Sequence, residues 1–184
     1  ESHQILENKL REALSGQTQS IIPNAFLEAT AAGSATPGGG SVAALAGALA
    51  AALAGMVARL TIGKKKYATV EAQMKDIAAR ADGLRDKLTE SIDADSAAFT
   101  EVMSAMKLPK ETPEEIAARN AQIQAATQHA TIVPLHTARL CLEALGLIQF
   151  VAANGNLNAM SDAASGAFMA RAAIDAAGMN VRIN

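Results

Sequence analysis

The sequence has no tryptophan, one tyrosine and four phenylalanines, so aromatics make up only 3% of its 184 residues. Stacking platforms for nucleobases are therefore nearly absent. It has a single cysteine, Cys141. One thiol excludes an intrachain disulfide and a thiolate zinc cluster, and it fits a reducing, cytoplasmic setting. There is no excess of either charge: the formal net charge is −2. A nucleic-acid partner would call for a basic face, so none is expected. The opening stretch "ESHQILENKLREAL" is charged and amphipathic and has no secretory apolar core. Alternating β-branched runs are missing as well.

What fills the chain is Ala, Leu, Met, Gln, Glu, Lys and Arg, the composition of an all-α protein. The length suits one domain, residues 1–184, with a single sizeable core. Helices are predicted over Gln4–Leu14, Pro23–Ala32, Ser41–Ile62 and Val70–Lys107. Gly63 and the lysines after it suit a helix end. The fourth helix would be about 57 Å long, against about 40 Å for a compact domain of this size, so it would protrude, bend or pack against a second subunit, and an elongated homo-oligomer is the economical expectation. Thr112 and Glu115 form a capping box with Pro113 at the first helical position. The helix they start runs to about Ala153 and is expected to kink or split at Pro134. A last helix is predicted over Ser161–Ala177, with "MNVRIN" lying beyond it.

The stretch "ATPGGGSVAALAGALAAALAG", Ala35–Gly55, joins three glycines to a run of small apolar residues. It is not a Walker phosphate loop, because no lysine follows the glycines and the preceding segment reads helical. Val42–Ala58 is uncharged, but at about 17 alanine-rich residues it sits at the short limit for a membrane span, and no membrane is expected. Ala43, Gly47, Ala51 and Gly55 recur every four residues, a stripe that lets neighbouring backbones approach closely. The run therefore reads as a central core helix. Its glycine-lined N-terminus either makes a tight turn or presents backbone N–H groups to a ligand.

In "TESIDADSAAFTEVM" the apolar stripe passes through Leu88, Ile92, Phe99, Val102 and Met106. Asp95 falls inside that stripe and Asp93 far around the helix. A carboxylate there is costly unless it is hydrogen-bonded or faces a cavity. It is thus either a structural aspartate tied to a neighbouring helix or a proton-transfer group. Asp162, in a first helical turn, reads first as a cap or dipole partner. His129, His136 and Glu143 share a face at intervals of seven, about 10 Å apart, too far to chelate one ion.

Taken in order, "ATPGGGSVAALAGALAAALAGMVARLTIGKKKY", "DADSAAF", "LPKETPEE" and "NGNLNAMSDA" resemble the cyclodeaminase/cyclohydrolase family over about residues 26–184. The resemblance implies a dimeric bundle of long helices that binds a tetrahydrofolate derivative near the dimer interface, without metal or other cofactor. It implies a further helix beyond "NVRIN". It marks Asp95 as the catalytic group, with Asp93 a weaker candidate. For the substrate it marks Gly38, Gly39, Gly40 and Ser41. It adds Lys64, Lys65 and Lys66 for an anionic glutamate tail, Asp162 or even Asp95 for the N–H donors of the pterin edge, and Asn158 as a further substrate contact. The implied reaction is hydrolysis of 5,10-methenyltetrahydrofolate to 10-formyltetrahydrofolate. Formiminotetrahydrofolate cyclodeamination is the alternative. A folate-binding or helical interaction module without catalysis is a third reading, and it requires Asp95 to be paired inside the core with no pocket beside it.

Overall fold

A computed structural model of the protein describes residues 24–184, and every described segment of regular structure is helical. The helix expected over Gln4–Leu14 lies outside the described residues. The chain divides after Gly33 into two units. The first contains α1, Asn24–Ala31, one residue shorter at each end than expected.

The second unit holds α2 (Gly39–Thr61), α3 (Glu71–Met106), α4 (Pro113–Asn154) and α5 (Met160–Ile183). A 3-10 segment over Lys65–Val70 joins α2 to α3. α2 is central and packs on α3, α4 and α5. The small-residue stripe explains how. Ala43, Gly47, Ala51 and Gly55 are all buried. A Cβ placed on Gly47 would overlap Cys141 Sγ of α4 and come within 3.1 Å of Leu88 of α3. Three helices thus meet where α2 has no side chain. The Cys141 thiol is fully buried there, and burial pushes its pKa up to about 11. Larger side chains, among them Met74, Leu88, Ile148 and Val151, complete the core around α2.

The helix ends follow the sequence signals closely. Gly63 takes a positive φ of 77° one residue past the α2 cap, a conformation that glycine adopts without steric cost. The Thr112 side chain accepts from Glu115 N–H, and Glu115 bonds back, completing the capping box with Pro113 at the helix start.

Four expectations are corrected. α2 begins at Gly39, so two of the three glycines lie inside the helix. α4 is continuous over 42 residues and is not split at Pro134. Proline removes the N–H that would bond the Ala130 carbonyl, and the Asn184 side chain donates to that carbonyl instead, at 2.7 Å. α5 does not stop at Ala177 but runs through "MNVRI" to Ile183. In α3 the buried stripe beyond Leu88 is Ser91, Ala98 and Ala105, while Phe99 and Met106 are exposed.

α2 and α4 are both long and apolar enough to cross a membrane, where the sequence offered α2 only as a segment at the short limit for a span. In the most apolar window of α2, 61% of residues are buried against other helices, as in a core helix. One face of α2 stays open: Val42, Leu49, Met56 and Leu60 are each more than a third exposed.

Candidate active site

The site is built where the first turn of α2 meets the middle of α3. Asp95 is half-buried, and its carboxylate lies directly against the backbone of Gly40. A Cβ at Gly40 would overlap that carboxylate. Only glycine permits this approach, and it brings the negative charge to the positive end of α2. The α2 N-cap, Gly38, supplies no side-chain cap, so first-turn N–H groups remain available there.

The next residue fixes the carboxylate. Ser41 is 0% exposed. Its Oγ lies 3.0 Å from Asp95 Oδ2, 3.0 Å from the Ile92 carbonyl oxygen and 3.3 Å from Ser96 Oγ.

Asp95 and Gly38–Gly40 open onto a cavity of about 360 Å³. Ala98, Phe99 and Val102 of α3 form one wall, and Ala130 of α4 with Asn180 and Asn184 of the α5 end form another. The reading in which Asp95 is sealed in the core therefore fails on its own requirement. The α5 contribution was missed in the sequence, where the last helix was expected to end at Ala177. Asn180 instead donates its side-chain amide to the Ala176 carbonyl at 2.9 Å, within a continuing helix. Asp93 is exposed and does not line this cavity.

The remaining candidates gather at the other end of α2. Its 23 residues make that end about 34 Å away along the axis, beyond the reach of any side chain. Lys64, Lys65 and Lys66 are exposed, with Lys66 Nζ 5.4 Å from the Tyr67 ring centre. Asn158 is exposed and Asp162 half-buried, at the start of α5. Buried Asn156 ties these segments together. Its side-chain amide donates to the Leu60 carbonyl at 3.1 Å, and its backbone N–H donates to Thr61 Oγ1 at 2.9 Å. Asn158 N–H donates to Asn156 Oδ1, and Leu157 N–H donates to the Tyr67 hydroxyl, each at 3.1 Å. Asn156 and Tyr67 were not singled out from the sequence. The "NGNLNAMSDA" motif was visible, but the long-range partners of Asn156 were not.

Two larger hollows, of about 730 and 760 Å³, lie between α3 and α4. The first contains His129, whose Nδ1 is 2.8 Å from Glu101 Oε2, and the second contains Asp76, Arg80 and Glu143. His129 and Glu143 are thus in different places, and among the described residues no cluster of three His, Cys, Asp or Glu could hold a metal ion.

Known proteins bear on this arrangement. The profile of the formiminotransferase-cyclodeaminase family matches residues 23–184. The methenyltetrahydrofolate cyclohydrolase of Methylorubrum extorquens is 49% identical over 159 residues, covering 86% of this chain and 76% of that protein. The formimidoyltransferase-cyclodeaminase of Gallus gallus is 40% identical over 160 residues. That match covers 87% of this chain but 30% of the chicken protein, so the chain spans about a third of that relative. The crystal structure of formiminotetrahydrofolate cyclodeaminase from Thermotoga maritima superposes with a TM-score of 0.78 at 32% identity, over 90% of this chain and 78% of that one. The profile match over most of the chain and the likeness in sequence and fold lead to one conclusion: the chain belongs to the formiminotransferase-cyclodeaminase family.

Proposed function

We propose that the protein hydrolyses 5,10-methenyltetrahydrofolate to 10-formyltetrahydrofolate. The observation that carries this reading is the 49% identity to a methenyltetrahydrofolate cyclohydrolase over most of both chains. The cavity supports it with a carboxylate poised at a helix N-terminus. Asp95 acts as general base and removes a proton from water as its oxygen attacks the carbon bridging N5 and N10. The cationic substrate becomes a neutral carbinolamine. Asp95 then returns the proton to N5 as the N5–carbon bond breaks. The carbinol proton passes to solvent as the formyl carbonyl forms, so one proton is released per turnover. Gly38–Ser41 offer backbone N–H groups to the substrate, and positioning supplies the rest of the acceleration. Asp93 takes no part in this scheme. The scheme is acid–base chemistry on a folate and uses no cofactor.

The homodimer is part of the proposal. The open α2 face repeats Val42, Leu49 and Met56 every seven residues, an apolar seam suited to a second copy. Antiparallel pairing along that seam sets the Lys64–Lys66, Asn158 and Asp162 end of one copy beside the Asp95 cavity of the other. One folate then reaches both clusters, with its glutamate tail on the lysines. Light scattering is expected to give a dimer, and Leu49→Lys a monomer. A cytoplasmic location completes the reading, supported by the single buried thiol.

Loss of the near-ultraviolet absorbance of 5,10-methenyltetrahydrofolate tests the activity. Acceleration over buffer is expected, and a rate equal to buffer contradicts the proposal. The likeness to the Thermotoga maritima cyclodeaminase favours a second reading, in which N10 attacks a formimino carbon on N5 and ammonia leaves. Ammonia release from 5-formiminotetrahydrofolate, faster than methenyl hydrolysis, selects it.

A further inference from the structure

The Ser41 hydroxyl has one hydrogen and more than one claim on it. The Ile92 carbonyl and an ionised Asp95 only accept, and each lies 3.0 Å from Ser41 Oγ. One hydrogen cannot serve both at once. Both acceptors are nonetheless held at hydrogen-bond distance around a side chain with no exposure to solvent. Ser96 Oγ, at 3.3 Å, is a second hydroxyl in the same cluster.

We propose that Ser41 is a positioning residue whose hydroxyl hydrogen turns between Asp95 and the Ile92 carbonyl as Asp95 takes up and returns its proton. This rests on Asp95 being the proton-transfer group. With Asp95 ionised, Ser41 donates to Oδ2 in a charge-assisted bond, the stronger of the two. With Asp95 neutral, the amide carbonyl of Ile92 is the better acceptor and the hydrogen turns to it. Ser41 Oγ is then free to accept from Ser96 or from the carboxyl itself. Ser41 keeps its own hydrogen throughout, and only the proton from water arrives on and leaves Asp95. Neither state leaves a buried polar group without a partner, so the proton moves without the desolvation cost of an orphaned group. Gly40 is the complement of this device, because it lets the carboxylate come close enough to meet the hydroxyl of the next residue.

The device is specific to Asp95. Among the described side chains lining the cavity, Asp95 is the one that ionises. α2 lines the cavity with glycines, α4 with Ala130 and the α5 end with Asn180 and Asn184, while Ser41 reaches Asp95 and the Ser96 hydroxyl.

The test compares wild type, Ser41→Ala and Ser41→Thr. Ser41→Ala is expected to move the acid limb of the pH–rate profile up by about 1 pH unit, the worth of one hydrogen bond to a charged group. At neutral pH its kcat falls by about tenfold while KM stays within about twofold, and Ser41→Thr restores most of kcat. Carbon-13 NMR titration of the Asp95 carboxyl gives a second readout that needs no turnover, with a midpoint at higher pH in Ser41→Ala than in wild type. Superimposable pH profiles in an active enzyme overturn the proposal, and so do equal titration midpoints whether or not the enzyme turns over. An inactive wild type with a shifted midpoint supports the Ser41–Asp95 device and sinks the hydrolase reading instead. If Ser41→Ala does not fold, Ser41→Cys replaces it. Its weak S–H donor predicts a smaller shift in the same direction, and a wild-type midpoint counts against the proposal.

Discussion

At its N-terminal end α2 meets α3 through a glycine and a buried hydroxyl, with a carboxylate against bare backbone. At its C-terminal end the same helix gives way to Gly63, three exposed lysines and a turn stitched by Asn156. The first end is closely packed, and its polar groups answer to one another. The second holds its backbone firmly but leaves its charges in water. Proton transfer needs fixed distances of the first kind. Attraction of an anionic tail needs only charge within reach, and exposed lysines suffice. The proposed function therefore divides turnover from affinity along one helix, and the proposed two-fold pairing of copies would bring the two back together.

Substitutions at the two ends separate these contributions. Gly40→Ala forces the Asp95 carboxylate away, and a displacement of that kind is expected to lower kcat by about 100-fold with the helical signal unchanged. Replacing Lys64, Lys65 and Lys66 together by Gln is expected to raise KM by about tenfold and leave kcat within about twofold, the effect growing with the number of glutamates on the substrate. A fall in kcat alone in the lysine variant breaks the division. Asn156→Ala leaves the Leu60 carbonyl and the Asn158 N–H without their partner, and should destabilise the fold by about 1–3 kcal/mol in denaturant titration.

The smallest effect is in the core between the two ends. Cys141 is held neutral by burial, with its pKa raised from 9.0 to about 11. The unfolded thiol ionises first, so the stability this group contributes is constant below about pH 9 and falls as pH rises from there through 11. Comparison with Cys141→Ala isolates this slope. In native protein at neutral pH the thiol should resist alkylation, and it should react once the chain is unfolded.

Much of this was legible in the sequence where a residue's own chemistry decides the outcome. The capping box at Thr112, the left-handed Gly63 and the four-residue stripe of α2 each carry a local steric or hydrogen-bonding reason. Asp95 was legible because a carboxylate inside an apolar stripe demands a partner or a cavity, and it has both. The family resemblance supplied the remaining candidates but not their separation by the length of α2. The stripe itself misled beyond Leu88. Large apolar residues such as Phe99 and Met106 attract the eye, yet the buried positions are the small Ser91, Ala98 and Ala105, the last of them facing Gln122, Ala125 and Ala126 of α4. Hydrophobicity alone does not register that preference for small volume. The same holds for Asn156 and for Asn184 on the Ala130 carbonyl. Their partners are distant in sequence and come together only when the helices pack.

The claim that matters most is that Asp95 moves the proton. Hydrolysis of 5,10-methenyltetrahydrofolate by wild type and Asp95→Asn, at matched folded concentration and saturating substrate, tests it directly. The account predicts a loss of kcat of about 100-fold or more in the variant, the scale of one general acid–base group, with folate binding largely kept. Turnover by Asp95→Asn at the wild-type rate would contradict it.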